Sequence, residues 1–152
     1  MTIAARLAEL AIVLPAAPKP VAAYVPAVRT GNLIAVSGQL PMQNGQLMMT
    51  GPVRSDAIPQ AQAAARQCAL NALAIVADQL GGSLDGVVRI VRLGVFVCCE
   101  AGFADQPKVA NGASEVLQQI FGDAGRHARA AVGSIALPLG ASVEVEMLVE
   151  VR

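Results

Sequence analysis

The residues best suited to chemistry lie in the last third of the chain. Arg129 opens an apolar run, Ala130-Ala131-Val132-Gly133-Ser134-Ile135. An arginine at a strand end either snorkels into water or offers a planar fork that grips a carboxylate through paired N–H bonds. Further on, the chain reads Val143-Glu144-Val145-Glu146-Met147. Side chains alternate along a strand, so Glu144 and Glu146 share one sheet face, and Val143, Val145 and Met147 share the other. Two carboxylates on a strand face are ordinarily solvated. On a face covered by protein, each needs a cation, a hydrogen-bond network or a task. His127 is the only histidine, and any Ser-His-acid triad would have to use it. Just before a strand it reads more readily as a structural or solvent-facing residue. A P-loop and a G-x-G-x-x-G loop are both absent from the sequence. Cys68, Cys98 and Cys99 lack C-x-x-C spacing and read as reduced thiols of a cytoplasmic protein. With only His127 to join them, no zinc site is expected.

The elements that position these residues follow from periodicity. Thr2 to Leu10 reads as a short helix, and Pro15, Pro18 and Pro20 force an extended arm after it. Val21 to Val28 and Leu33 to Ser37 read as strands of a hairpin turning at Thr30-Gly31-Asn32. Gly45 and Gly51 mark a loop expected to hold little regular structure. Ala61, Ala65, Cys68, Ala72 and Ile75 lie on one face of a helix from about Pro59 to Leu80, with Asp56 or a neighbour as a candidate cap and Gly81-Gly82 as its stop. Val87 to Cys98 is apolar on both parities and reads as a strand buried on both sides. A second long helix spans about Pro107 to Phe121, with Val109, Ala113, Val116 and Ile120 as its stripe, Asp105 as its cap and Gly122 as its stop. Strands over Ala128–Ala136 and Ser142–Val151 close the chain, separated by Leu137-Pro138-Leu139-Gly140. The order ββαβαββ predicts a two-layer α+β fold with both helices on one face of one sheet.

Composition narrows the function. The 152 residues fit one domain over residues 1–152, with the helix and proline-rich arm at 1–20. Eleven basic and eleven acidic residues leave no net charge, which argues against a phosphate-binding surface. Aromatic residues are 3% of the chain, too few for base-stacking platforms. No nucleic-acid partner is expected. Apolar residues reach 55%, above the usual 45–50% or so, and the excess predicts a subunit interface on the uncovered sheet face. No run approaches the roughly 18 apolar residues of a membrane span. Glu9 breaks the N-terminal apolar run and Lys19 follows it, so a signal peptide is not expected.

Three motifs in order resemble one family. Tyr24-Val25-x-Ala27 precedes Gly31-Asn32; Val36-Ser37-Gly38-Gln39-Leu40-Pro41 follows; Arg129-x-x-Val132, Leu137-Pro138 and Val143-Glu144-Val145-Glu146 end the chain. Together they resemble the Rid (reactive intermediate deaminase) family, also called YjgF or endoribonuclease L-PSP. The intervals from Tyr24 to Ser37 and from Arg129 to Glu144 match that pattern as well. Gly125-Arg126-His127-Ala128-Arg129 and the N-terminal helix resemble a particular subgroup. The resemblance implies a chorismate-mutase-like mixed sheet and a homotrimer with inter-subunit clefts. It implies hydrolysis of 2-imino or enamino acids to 2-oxo acids and ammonia, with neither metal nor organic cofactor. Arg129 would grip the substrate carboxylate and Glu144 would activate water. Backbone groups of Gly38 and Ala131 would hold the imine, while Tyr24, Ser37 and Asn111 would line the pocket. Other roles the resemblance allows are a trimer that binds a small carboxylate metabolite or acts in signalling without turnover and, with less support from composition, an endoribonuclease or translation inhibitor.

One geometric difficulty accompanies this reading. In a plain hairpin centred near Leu139, Arg129 would face a residue near Val149, about 15 Å along the strand from Glu144. Either the final strand inserts elsewhere in the sheet, or the site takes residues from two subunits.

Overall fold

Turn chemistry and apolar periodicity fix most element boundaries in the computed structural model, which describes residues 1–19 and 23–152. Helix α1 (Ile3–Glu9) is capped by Thr2, whose hydroxyl accepts from the Ala5 N–H. Strands β1 (Ala27–Thr30) and β2 (Leu33–Gln39) form the expected hairpin, turning at Gly31-Asn32 with Gly31 at φ +57°. The first strand is shorter than the expected Val21–Val28. It begins after Pro26, which has no N–H to give a ladder, and Pro20 to Ala22 lie outside the described residues. The stretch expected to be irregular instead carries a small hairpin, β3 (Met42–Gln43) with β4 (Gln46–Leu47). Asn44-Gly45 turns it, both residues having positive φ, the pairing that a tight two-residue hairpin demands.

Helix α2 (Ile58–Gln79) buries all five residues of its expected face. Asp56 does not cap it. It falls within a 3-10 turn at Ser55–Ala57, where the Ala57 N–H already donates to the Arg54 carbonyl. Strand β5 spans Val87–Cys98 as expected, but it is not buried on both sides, since Val88, Arg89 and Arg92 are exposed and Phe96 is only part-buried. Helix α3 (Gln106–Phe121) buries its predicted stripe. Asp105 sits at its N-cap position yet pairs with Lys108 at 3.0 Å rather than with a helix N–H. Strand β6 (Ala128–Ser134) stops two residues earlier than expected, where the Ser134 hydroxyl donates to the Ala136 carbonyl at 2.6 Å. Strand β7 spans Val143–Val151, with every second residue buried.

The sheet order is β1-β2-β7-β5-β6. Strand β6 runs parallel to β5 at the edge, and β7 is inserted between β2 and β5, antiparallel to both. The two last strands therefore do not form a hairpin. Both long helices cover one sheet face, giving the expected two-layer α+β architecture, and α1 lies against α3 through a 2.8 Å bond from Arg6 Nε to the Gln119 carbonyl. The helix-side face buries Val143, Val145, Met147, Val149 and Val151 with Leu93, Val95 and Val97. The other face carries Glu144, Glu146, Phe96 and Val132, with no helix layer over it among the described residues.

The helix crossing depends on a glycine. A Cβ at Gly112 of α3 would overlap the Gln62 carbonyl of α2. Gly112→Ala should therefore destabilise the protein by about 1–3 kcal/mol in urea unfolding, despite alanine's better helix propensity. Equal or greater stability would contradict so close a crossing.

Candidate active site

Arg129 is held by α3. Pro107, Asn111 and Ser114 recur at spacings of four and three, which is one helical stripe. Arg129 sits opposite Leu93 in the β5–β6 ladder, so its side chain lies on the helix side of the sheet. Its Nη1 donates to Asn111 Oδ1 at 2.9 Å and to Ser114 Oγ at 3.0 Å, while Nη2 reaches the Pro107 carbonyl at 3.4 Å. These are neutral acceptors, and among the described residues no carboxylate pairs with Arg129. Both Nη1 protons are used. Among the described residues Nε–H and one Nη2–H have no acceptor, and Nε and Nη2 form the side-on edge that binds a carboxylate with two parallel bonds.

His127 completes this cluster, in keeping with the structural rather than the solvent-facing half of its reading. Its Nδ1 lies 2.7 Å from the Gly125 carbonyl and its Nε2 lies 2.9 Å from Ser114 Oγ. Burial pushes its pKa below the usual histidine range. The Arg129 charge acts in the same direction, and the Gly125 carbonyl opposes it. Ala131 shares Arg129's strand and face, half-buried against the core.

Glu144 belongs to the opposite face. It pairs with Phe96 on β5, three positions along from Leu93, the partner of Arg129. Two strand spacings and three residues put the two backbones about 14 Å apart, with side chains on opposite sides of the sheet. Within this chain Arg129 and Glu144 are therefore not brought together. Glu144 lies instead over Gly38, where any Cβ would overlap its carboxylate. Gly38 sits in a β-bulge, since Val36 faces Met147 but Gln39 faces Val145. Ser37 anchors the approach to that bulge. Its N–H donates to the Pro26 carbonyl and its hydroxyl to the Val25 carbonyl, both at 2.8 Å. Tyr24, half-exposed, joins Gly38 and Lys19 in lining a cavity of about 550 Å³.

The two strand-face carboxylates differ. Glu146 pairs with Arg92 at 3.2 Å. Glu144 has no cation within ion-pair distance among the described residues, and burial pushes its pKa up, with the Glu146 charge adding to the effect. That gives it the character of a proton acceptor that holds its proton more readily than a surface carboxylate. All three cysteines are free and buried, and burial drives the Cys68 thiol well above its usual range, away from nucleophilic character.

The site thus has two halves: a guanidinium cradle behind the edge strand, and a carboxylate–bulge–tyrosine cluster on the open face. Of the residues singled out in the sequence, Arg129, Asn111 and Ala131 fall in the first half, and Tyr24, Ser37, Gly38 and Glu144 in the second. Ser114 was not singled out, and Gly125 stood only as part of the Gly125–Arg129 motif, with no role for its carbonyl. The signal for Ser114 was its place on the Pro107–Asn111 stripe.

A mixed five-stranded sheet with two helices on one face and an uncommitted arginine at its edge defines a chorismate-mutase-like α+β protein. The sequence pattern of the YjgF/chorismate mutase-like endoribonuclease family matches residues 4–151, and the chain belongs to this family, also called Rid. It is 46% identical over 152 residues to protein TCP17 of Trypanosoma cruzi, covering 99% of this chain and 94% of that one. It is 31% identical over 139 residues to a 2-iminobutanoate/2-iminopropanoate deaminase of Dermatophagoides farinae, covering 91% and 93%. The crystal structure of Atu1372 of Agrobacterium tumefaciens, a protein of unknown function, superposes with a TM-score of 0.91 at 46% identity, covering 99% of this chain and 92% of that one. No helix of the described residues is long and apolar enough to cross a membrane.

The raised pKa of Glu144 has a consequence for stability. The folded state holds its proton to higher pH than the unfolded chain does. Stability is therefore lost as the pH rises from the ordinary carboxylate range, about pH 4, through the folded value. Glu144→Gln should lack this loss and at neutral pH unfold at an equal or higher urea concentration than the parent. A lower midpoint would mean that the carboxylate has a stabilising partner.

Proposed function

We propose that the protein hydrolyses 2-imino acids, and their enamino tautomers, to 2-oxo acids and ammonia in clefts between the subunits of a homotrimer. The observation that carries this reading is the uncommitted side-on edge of Arg129, braced by three neutral acceptors. A half-buried cation with no acidic partner among the described residues is suited to an anionic ligand, and a carboxylate fits its geometry. The deaminase relative, 31% identical, supports the choice of substrate.

Arg129 of one subunit anchors the substrate carboxylate, and Glu144 of a neighbour faces the imine carbon. Separation of these two residues on opposite faces within one chain is what requires the second copy. The uncovered sheet face supports such packing, with Val132 46% exposed and Ile135 and Leu139 protruding beside it. The substrate is an iminium, already electrophilic. Water adds its oxygen to C2, the C=N π pair moves to nitrogen, and Glu144 takes the water's proton. Proton return to nitrogen makes ammonia the leaving group, and the carbon–oxygen double bond forms as the carbon–nitrogen bond breaks and the hydroxyl proton passes to Glu144 and on to the ammonia. The iminium acid and water become the 2-oxo acid and ammonium. The open backbone at the Gly38 bulge and the Ala131 backbone offer hydrogen bonds to the reacting nitrogen and oxygen. Tyr24 and Asn111 shape the cleft, and Ser37 holds the segment that carries Tyr24.

The test follows the decay of 2-iminobutanoate generated by a threonine dehydratase. Light scattering should first report about three times 15.5 kDa. Arg129→Ala should abolish acceleration, and Arg129→Lys should remain poor because an ammonium lacks the fork. Glu144→Gln should bind 2-oxobutanoate like the parent but hydrolyse about 100-fold or more slowly. A monomer, or unchanged turnover in the Arg129 variants, would overturn the assignment. Binding without turnover in the parent would leave a carboxylate-binding trimer.

A further inference from the structure

We infer that His127 and Ser114 are positioning residues, a hydrogen-bond relay that sets the direction in which Arg129 presents its free edge. The inference rests on the reading that Arg129 grips a substrate carboxylate.

The direction of each bond follows from what each atom can do. The Gly125 carbonyl can only accept, so the His127 Nδ1 at 2.7 Å carries the proton. Neutral histidine then has a bare Nε2. The Ser114 hydroxyl, at 2.9 Å, gives its single proton there. With that proton pointed at His127, the lone pairs of Ser114 Oγ face Arg129 and accept from Nη1 at 3.0 Å. Without the histidine, the hydroxyl is free to rotate and turn its proton toward the guanidinium, which cannot accept it. Asn111 Oδ1 takes the other Nη1 proton at 2.9 Å, so the two acceptors together fix the plane of the fork.

The far end of the relay is built in as well. Gly125 is buried at the end of a 3-10 turn, Gly122–Gly125, and a Cβ there would overlap the Leu117 carbonyl of α3. Glycine lets this turn lie against the helix that supplies Ser114. The chain order Gly125-x-His127-x-Arg129 thus places carbonyl, imidazole and guanidinium around one hydroxyl. This accounts for a motif that the two-residue mechanism does not use.

The experiment titrates 2-oxobutanoate by calorimetry and measures imine decay on trimeric variants with verified melting temperatures. Ser114→Ala and His127→Ala should each weaken 2-oxobutanoate binding and raise KM about tenfold, with a much smaller change in kcat. The double variant should be no worse than Ser114→Ala, because His127 acts through Ser114. His127→Gln, whose amide oxygen can accept the serine proton, should recover most of the affinity. A merely structural role predicts lowered melting temperature, additive losses and no recovery with glutamine, and that outcome overturns the relay. Normal binding in Ser114→Ala alongside lost binding in Arg129→Ala overturns the relay and leaves the Arg129 assignment standing. Normal binding in Arg129→Ala overturns both.

Discussion

Strand β7 is the constraint on which the rest of the structure depends. It lies between β2 and β5, and its strict alternation commits Val143, Val145, Met147, Val149 and Val151 to the helix side. A one-residue slip would bury Glu144, Glu146 and Glu150 under α2 and expose the valines, so the register is firmly set. Because β7 occupies the centre, β6 is displaced to the edge beside β5, and Arg129 comes to lie against α3. The same alternation puts Glu144 on the opposite face. The distance between the two proposed catalytic groups thus follows from the core pattern.

Electrostatics in the two halves follow from where the core pattern leaves them. Behind the edge strand, a cation is surrounded by amide, hydroxyl and carbonyl oxygens with no balancing carboxylate among the described residues, which favours an anion from outside. On the open face, Glu146 has Arg92 while Glu144 has only a half-buried setting and a like charge nearby. A carboxylate left in that condition carries a cost in folding that a purely structural residue would not need. Assigning it the proton-transfer step gives that cost a reason.

Much of the fold was legible in the sequence. The two long helices, their buried faces and strands β2, β5 and β7 follow from apolar spacing and glycine stops, because burial dominates those elements. Features set by local competition were less legible. Asp56 and Asp105 have the right type and position for caps, but a backbone turn and Lys108 claim their places. The β3–β4 hairpin is announced by Asn44-Gly45, yet its flanking strands are too short to show alternation. The pairing order of the last strands cannot be read from their adjacency, and it decides the site. The choice between a structural and a solvent-facing His127 stays open in the sequence because its partners, Ser114 and the Gly125 carbonyl, come from a helix and a turn whose packing no spacing rule relates to it.

The central claim is that catalysis requires Arg129 of one subunit and Glu144 of another. Subunit mixing tests it most directly. Arg129→Ala and Glu144→Gln chains, each inactive alone, are unfolded together and refolded in equal amounts. If sites form between subunits, random assembly gives about one quarter of sites an intact Arg129 and an intact Glu144. The account predicts that the mixture recovers about that fraction of the parent's imine-hydrolysis rate. A mixture as inactive as its components, in trimers shown to contain both chains, would contradict it.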